Sequence, residues 1–164
     1  AKGIVALMRW GLRRIEVQRL NIGNITQDED GTGWVELMGK GMKQRRINVA
    51  GQHAQLIWTY YQERVGRRDG SPLFSGHTGD TELGRITTAG ITWIFNQVAD
   101  SAGVDATPHD CRRTSITEMS QAGVPIMDIS QFHGHTKPET TYRYFKTNDD
   151  QIKGAAAMMA AKRG

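Results

Sequence analysis

The hydrophobic pattern that opens the chain is helical. Ile4, Leu7, Met8, Leu12 and Ile15 recur at three- and four-residue spacing, which predicts one amphipathic helix through residues 4–15. No capping residue precedes it, so the helix is expected to start in sequence upstream of residue 1. The pattern then changes. Trp34, Val35 and Leu37 lead into Gly39-Lys40-Gly41, and Ile47 and Val49 follow, which reads as a hairpin over residues 33–49. Residues 21–26 are a candidate first strand. Gln52 to Val65 reads as a helix closed by the basic stretch Gly66-Arg67-Arg68-Asp69-Gly70, and residues 71–86 read as a long loop.

Helical spacing dominates the second half. Thr87 or Thr88 is placed to cap a helix through Ala102, with Ile91, Ile94, Phe95 and Val98 on its buried face. The next helix is expected from Asp110 to Gln121, ending at Gly123, with His109 extended just ahead of it. Pro125 and Pro138 are suited to the first positions of two further helices. Asn148 or Asp149 would cap a last one containing Ile152, Ala155, Met158 and Met159. The expected class is therefore α+β and mainly α-helical, with a small antiparallel sheet of two or three strands on one side.

A chain of 164 residues suits one domain with a full core. The net charge is +4, but it is uneven: residues 1–70 hold 12 Lys/Arg against 7 Asp/Glu, and residues 71–164 hold 9 against 10. A basic half points to a polyanion such as nucleic acid, although a plain solvated surface has the same composition. A single cysteine, Cys111, excludes an internal disulfide and fits the reducing cytoplasm. No run is long and apolar enough for a membrane span, and no secretory signal opens the chain.

The candidate chemistry lies in five short strings. They are Gly-Leu-Arg-Arg-Ile-Glu (11–16), Gly-Lys-Gly (39–41), Pro-His-Asp-Cys-Arg-Arg-Thr (108–114), Gly-His-Thr (134–136) and Thr-Thr-Tyr-Arg-Tyr (140–144). A guanidinium is a planar fork for two non-bridging phosphate oxygens, which an ammonium does not reproduce. A phenol with a pKa near 10 is a poor nucleophile until neighbouring cations favour the phenolate. Several alternatives stay open on the residues alone: Arg14 beside Arg13, Lys43 beside Lys40, Arg113 beside Arg112, and Tyr142 beside Tyr144. His109, Cys111, His133 and His135 match no common zinc spacing.

In their order and intervals these strings resemble the catalytic domain of the tyrosine recombinase (phage integrase) family. The match covers residues from about 4 to 146. The resemblance selects Arg13, Lys40, His109, Arg112, His135 and Tyr144 as the catalytic set. It implies that Tyr144, the fifth residue of Thr-Thr-x-x-Tyr, attacks a DNA phosphodiester to leave a 3′-phosphotyrosyl link and a 5′ hydroxyl. Arg13 and Arg112 would neutralise the transition state. Lys40 would protonate the leaving oxygen, His109 would assist proton transfer, and His135 would hydrogen-bond a phosphate oxygen. Glu16, one helical turn beyond Arg13, would orient it. No cofactor, metal or ATP is implied.

The resemblance also sets an organisation. Residues 1–147 would form the catalytic domain and 148–164 a helical tail, with an upstream DNA-binding domain absent from this chain. Double-stranded DNA is the expected partner, with a tetramer on DNA formed through the tail. Lys43, Arg45, Arg46, Arg67, Arg68 and Arg113 are candidates for DNA phosphate contacts. Trp10, Cys111 and His133 depart from the family's usual residues and put local packing in question. Two other readings compete. Residues 110–133 mimic the helix-turn-helix of a non-catalytic DNA-binding module, and a type IB topoisomerase would use the same chemistry.

Overall fold

A computed structural model describes residues 1–38, 44–63, 66, 69–76, 84–135, 141 and 157–161. The opening stripe is not one helix. Helix α1 spans Lys2–Arg9 and stops at Trp10, and α2 spans Arg14–Arg19. Gly11 makes the break. It takes φ +84°, and its amide bonds Met8 O (2.9 Å) while the Leu12 amide bonds Leu7 O (3.2 Å). That pair of bonds is the Schellman ending, which leaves the helix in the left-handed region that glycine tolerates. Arg13 is therefore the residue ahead of α2 and not a mid-helix residue, and Ile15 lands on a surface, 39% exposed.

After a 3₁₀ turn at Ile22–Asn24, three antiparallel strands follow: β1 (Ile25–Gln27), β2 (Gly33–Met38) and β3 (Gln44–Val49), in the order β1-β2-β3. The register pairs Ile25 with Val35, Val35 with Ile47, and Leu37 with Arg45. Side chains alternate across a strand, so Val49, Ile47 and Arg45 share the inner face while Asn48, Arg46 and Gln44 share the outer one. Helix α3 (Gly51–Gln62) packs on α1 and brings Trp58, 1% exposed, into the core. The Trp58 indole still finds a partner, donating to Gly31 O at 2.8 Å. The described residues between α3 and residue 86 are tied back to the end of α2 and the segment that follows it. Arg85 donates to Gln18 O, Leu20 O and Asn21 Oδ1, and two isolated bridges join Asn21 to Pro72 and Ser75 to Arg85.

Helix α4 (Thr88–Ser101) is capped by Thr87, whose hydroxyl accepts from the Gly90 amide at 3.0 Å. Its buried residues are Ile91, Phe95 and Ala99, with Ile94 and Val98 half-buried. Helix α5 (Pro108–Gln121) begins earlier than expected, and His109 lies in its first turn and not in extended backbone. Proline restricts the residue before it, so Thr107 is the extended one (φ −112°, ψ 160°). Asp110 reaches back to the Thr107 amide at 2.9 Å, which closes a capping box on that start. Helix α6 (Ile126–His133) follows, with Pro125 one position ahead of its first turn. The expected start of a helix at Pro138 and the cap at Asn148 or Asp149 lie outside the described residues. Residues 157–161 are helical, with Met158 and Met159 exposed.

One core joins these elements. Leu7 and Met8 of α1, Val35 and Leu37 of β2, Ile57 and Trp58 of α3, and Ile91 of α4 are all essentially inaccessible. Truncating one such side chain to Ala costs about 2–5 kcal/mol. The α1–α2 turn matters as much as the core, because a Cβ on Gly11 would come within 2.5 Å of His133 Nε2. Gly11→Ala is expected to lose roughly 3 kcal/mol, combining left-handed strain and overpacking. Gly123→Ala, at φ +80° with nothing within 4 Å of the added carbon, carries the strain alone at about 1–2 kcal/mol. Urea unfolding of the two variants side by side measures the difference.

Candidate active site

Arg112 is the buried centre of the site. It leaves α5 only 5% exposed, and its two terminal nitrogens donate to Gly11 O and His133 O. Those carbonyls sit at the C-terminal ends of α1 and α6. Helix C-termini present carbonyl groups without intrahelical partners and a partial negative charge, which favours a cation there. A buried guanidinium is costly unless hydrogen-bonded, and these two bonds supply that while the side chain still reaches an open depression.

Arg13 approaches from the other side. Its Nη2 donates to Gly134 O (3.2 Å) and its Nη1 to Glu16 Oε1 (2.9 Å). Glu16 also accepts from the Arg13 amide at 2.7 Å, so it fixes both ends of that residue. The orienting role expected for Glu16 thus has a geometric basis. Glu16 is 7% exposed and carries a second guanidinium: Arg45 donates Nη1 to Oε1 at 2.7 Å and Nη2 to Oε2 at 3.1 Å. Burial pushes the Glu16 carboxyl up, but Arg45 and then Arg13 pull harder, and it ends below the ordinary carboxylate range.

The histidines complete the arrangement. Gly134 ends α6 in the left-handed conformation (φ +59°), and the His135 amide bonds back to Ser130 O at 2.9 Å. That turn aims His135 at Thr141, with Nδ1 and Oγ1 2.7 Å apart. Burial, together with Arg112, Arg13 and Arg45, lowers the His135 pKa to about 4. His133 is fully buried. The Ile129 carbonyl can only accept, so His133 Nδ1 donates to it (3.0 Å), which leaves Nε2 to accept from Ser115 Oγ (3.2 Å). Burial first and Arg112 second bring the His133 pKa down to about 3. Both imidazoles are neutral at pH 7.

Arg13, His109 and Arg112 line one open depression of about 390 Å³, with Leu12, Arg14, Thr107 and Pro108. His109 is exposed on its rim. Four of the six expected residues are thus brought together, since His135 is joined to the set through Gly134 and the shared field of both arginines. Lys40 and Tyr144 lie outside the described residues, as do their rivals Lys43 and Tyr142 and the phosphate-contact candidates Arg67 and Arg68. Arg14 lines the same depression but donates to Thr92 Oγ1 on α4 at 2.8 Å. Arg46 and Arg113 are on the surface. Arg46 stacks over Trp34 at 4.6 Å near Glu36, and Arg113 lies 3.7 Å from Asp110.

Arg45 differs from the expectation. Its side chain is 12% exposed and turned inward onto Glu16, because the alternation along β3 puts it on the face of Ile47 and Val49. The same alternation was available in the sequence, but a basic residue beside Arg46 reads first as surface. The atypical residues also find places. Trp10 packs against Phe132 with ring centroids 6.5 Å apart, and Cys111 is buried on α5. Among the described residues, no three His, Cys, Asp or Glu side chains are placed to hold a metal ion. Nor is any helix among them long and apolar enough to cross a membrane.

The sequence model of the phage integrase family matches residues 3–151. The chain belongs to the phage integrase family. The tyrosine recombinase XerC of Neisseria meningitidis serogroup B is 30% identical over 142 residues, covering 87% of this chain and 46% of that protein. The Leptospira interrogans tyrosine recombinase XerC is 26% identical over 153 residues, covering 92% of this chain and 47% of its own. The chain thus spans about half the length of the relatives it matches. In structure, the XerA recombinase superposes with a TM-score of 0.73 at 25% identity, over 96% of this chain and 55% of that one. The XerH site-specific recombinase, bound to its difH substrate in a pre-cleavage complex, gives 0.75 at 21% identity, over 96% and 46%. The mainly helical fold with its three-stranded antiparallel sheet is thus the integrase fold.

The buried histidines give this integrase-family fold a defined pH response. A base whose folded pKa is depressed leaves the unfolded chain binding more protons as pH falls, so stability is intact above about 6.5 and is lost progressively toward the folded value. Moving His133 from 6.5 to about 3 costs about 2 kcal/mol between pH 7 and pH 5. His135 acts in the same direction, and Glu16 adds its loss only at lower pH. Urea unfolding at the two pH values should show the drop. His133→Gln should be weaker at both but should have roughly 2 kcal/mol less pH dependence.

Proposed function

We propose that this chain is the catalytic domain of a site-specific DNA recombinase or integrase that cuts and rejoins DNA through a 3′-phosphotyrosyl intermediate. The observation that carries the reading is the pairing of Arg13 and Arg112 at one open depression, each held by main-chain carbonyls at a helix end. Two forks held this way suit the non-bridging oxygens of a single phosphodiester. Family membership and the XerC relatives point the same way. A repressor of helix-turn-helix type has no use for a guanidinium buried on α5 beside a second one at the same depression.

In this mechanism Tyr144 Oη attacks phosphorus in line. The phosphorus–O5′ bond breaks, Lys40 gives its proton to the departing oxygen, and the phenol proton leaves toward His109. Arg13 and Arg112 carry the charge that builds on the non-bridging oxygens. His135, neutral because of its burial and the arginines around it, donates a hydrogen bond to one of them while its other nitrogen rests on Thr141. A 5′ hydroxyl then reverses the steps on the same or another strand. The phosphotyrosyl ester conserves the energy of the broken bond, so no ATP is consumed. Residues 1–147 hold this chemistry, and the 148–164 tail links neighbouring copies in a tetramer on DNA. The setting is the cytoplasm of a bacterial or phage-infected cell.

The test uses duplex oligonucleotides that carry a nick and are randomised on both sides of it. Denaturing electrophoresis isolates any DNA joined covalently to the protein, and sequencing recovers the preferred duplex. Tyr144→Phe should give no adduct and Tyr142→Phe should retain it. Arg13→Ala should slow adduct formation about a hundredfold, corresponding to roughly 3 kcal/mol of transition-state stabilisation. An adduct that persists in Tyr144→Phe would remove the nucleophile from this scheme. A plasmid-relaxing activity with no preferred duplex would favour a topoisomerase.

A further inference from the structure

Arg45 stands outside the catalytic set and away from solvent, yet it makes the closest ion pair in the site. We infer that Arg45 is a positioning residue whose charge is matched to Glu16 so that Arg13 keeps its own for the phosphate. The inference rests on the recombinase reading only for the identity of the anion; the charge balance is a property of the cluster itself.

The geometry is symmetric. Glu16 Oε1 accepts from Arg13 Nη1 (2.9 Å) and Arg45 Nη1 (2.7 Å), and Oε2 accepts from the Arg13 amide (2.7 Å) and Arg45 Nη2 (3.1 Å). The carboxylate is 6% exposed, so water contributes little to its solvation. Its single negative charge is shared by two guanidiniums, and the trio carries one net positive charge. With Arg45 absent, Arg13 alone would face a buried carboxylate. Arg13 would then be drawn wholly onto Glu16, and the cluster would be neutral. Arg13 is 40% exposed while Arg45 is 12% exposed, so the unspent charge sits on the residue that reaches the depression.

Arg45 also touches the second support of Arg13. A Cβ on Gly134 would collide with the Arg45 guanidinium, so the glycine whose carbonyl accepts from Arg13 Nη2 is packed against Arg45. One side chain thus meets both supports of Arg13, the Glu16 carboxylate and Gly134. Its place near the start of β3, the strand that follows Lys40 in sequence, ties the sheet to α2 through Glu16.

The test separates charge from packing. Inorganic phosphate is titrated into the full chain and into R45Q, R45K and the double variant E16Q/R45Q, with binding read from the side-chain NMR signals of Arg13. R45Q should bind phosphate about tenfold more weakly, as expected for removing one nearby unit charge. R45K keeps the charge and should bind within about threefold of the unaltered chain, whereas E16Q/R45Q restores the net charge through Arg13 alone but loses the carboxylate that orients it, so it should recover most of what R45Q loses. A purely structural role predicts the reverse for the double variant, which disrupts the pair further. Wild-type affinity in R45Q, or a double variant no better than R45Q, would overturn the inference. If R45Q does not fold, as urea unfolding would show, R45K and E16Q/R45Q still decide, because a tenfold loss in the double variant contradicts the charge balance. The rates of adduct formation on the recovered duplex should rank the same way. Absence of any adduct in the unaltered chain would count against the recombinase reading alone, since the phosphate titration stands without it.

Discussion

Positive charge gathers at this site because two helices end there. Gly11 closes α1 and Gly134 closes α6, and the carbonyls at those ends take Arg112 and Arg13. Guanidiniums placed near one another repel, and a buried one loses its hydration. The partial negative charge of a helix C-terminus offsets part of that cost without adding a full countercharge that would compete with a phosphate. A carboxylate on each arginine would hold it more tightly and leave less for a ligand. The one carboxylate present, Glu16, is divided between Arg13 and Arg45.

Both turns need glycine for two independent reasons. Each takes a positive φ, and each leaves no room for a side chain: His133 fills the space beside Gly11, and Arg45 fills that beside Gly134. Burial and then Arg112 keep His133 a neutral imidazole, hydrogen-bonded to Ile129 O through Nδ1 and to Ser115 Oγ through Nε2. Burial first, and then Arg112, Arg13 and Arg45, keep His135 unprotonated. Fold and site are therefore not separable layers here: the residues that end the helices are the residues that hold the arginines.

Much of this was legible from residue patterns. The hairpin of β2 and β3 and helices α3, α4 and α5 were marked by periodicity, turn residues and caps, which are local signals. The break at Gly11 was not legible, because Leu12 and Ile15 continue the helical stripe across it. Gly11 ends α1 there, and His133, distant in sequence, leaves no room for a side chain beside it. The start of α5 was misplaced by a residue-level reading of Pro108, which constrains Thr107 and not His109. The strings around Arg13, His109, Arg112 and His135 pointed to the site by resemblance. Their convergence depends on α1, α5 and α6 meeting end to side, which no local string encodes. Lys40 and Tyr144 rest on the resemblance alone.

Arg45 shows how a charge can be misread when strand register is ignored. Val49 and Ile47 point inward, so the residue two before Ile47 must do so as well, whatever its polarity. A buried arginine at such a position is tolerable only with a partner already there, and Glu16 is that partner. Replacing a buried ion pair by well-packed apolar residues is often neutral or stabilising, so stability by itself gives little reason for the pair. The reason lies in the third member. Glu16 is needed to hold Arg13 by its amide and its side chain, and a carboxylate so placed would cancel the charge it orients. A second guanidinium at its other edge removes that conflict, which explains why an inner-face position of the sheet carries an arginine and not another isoleucine.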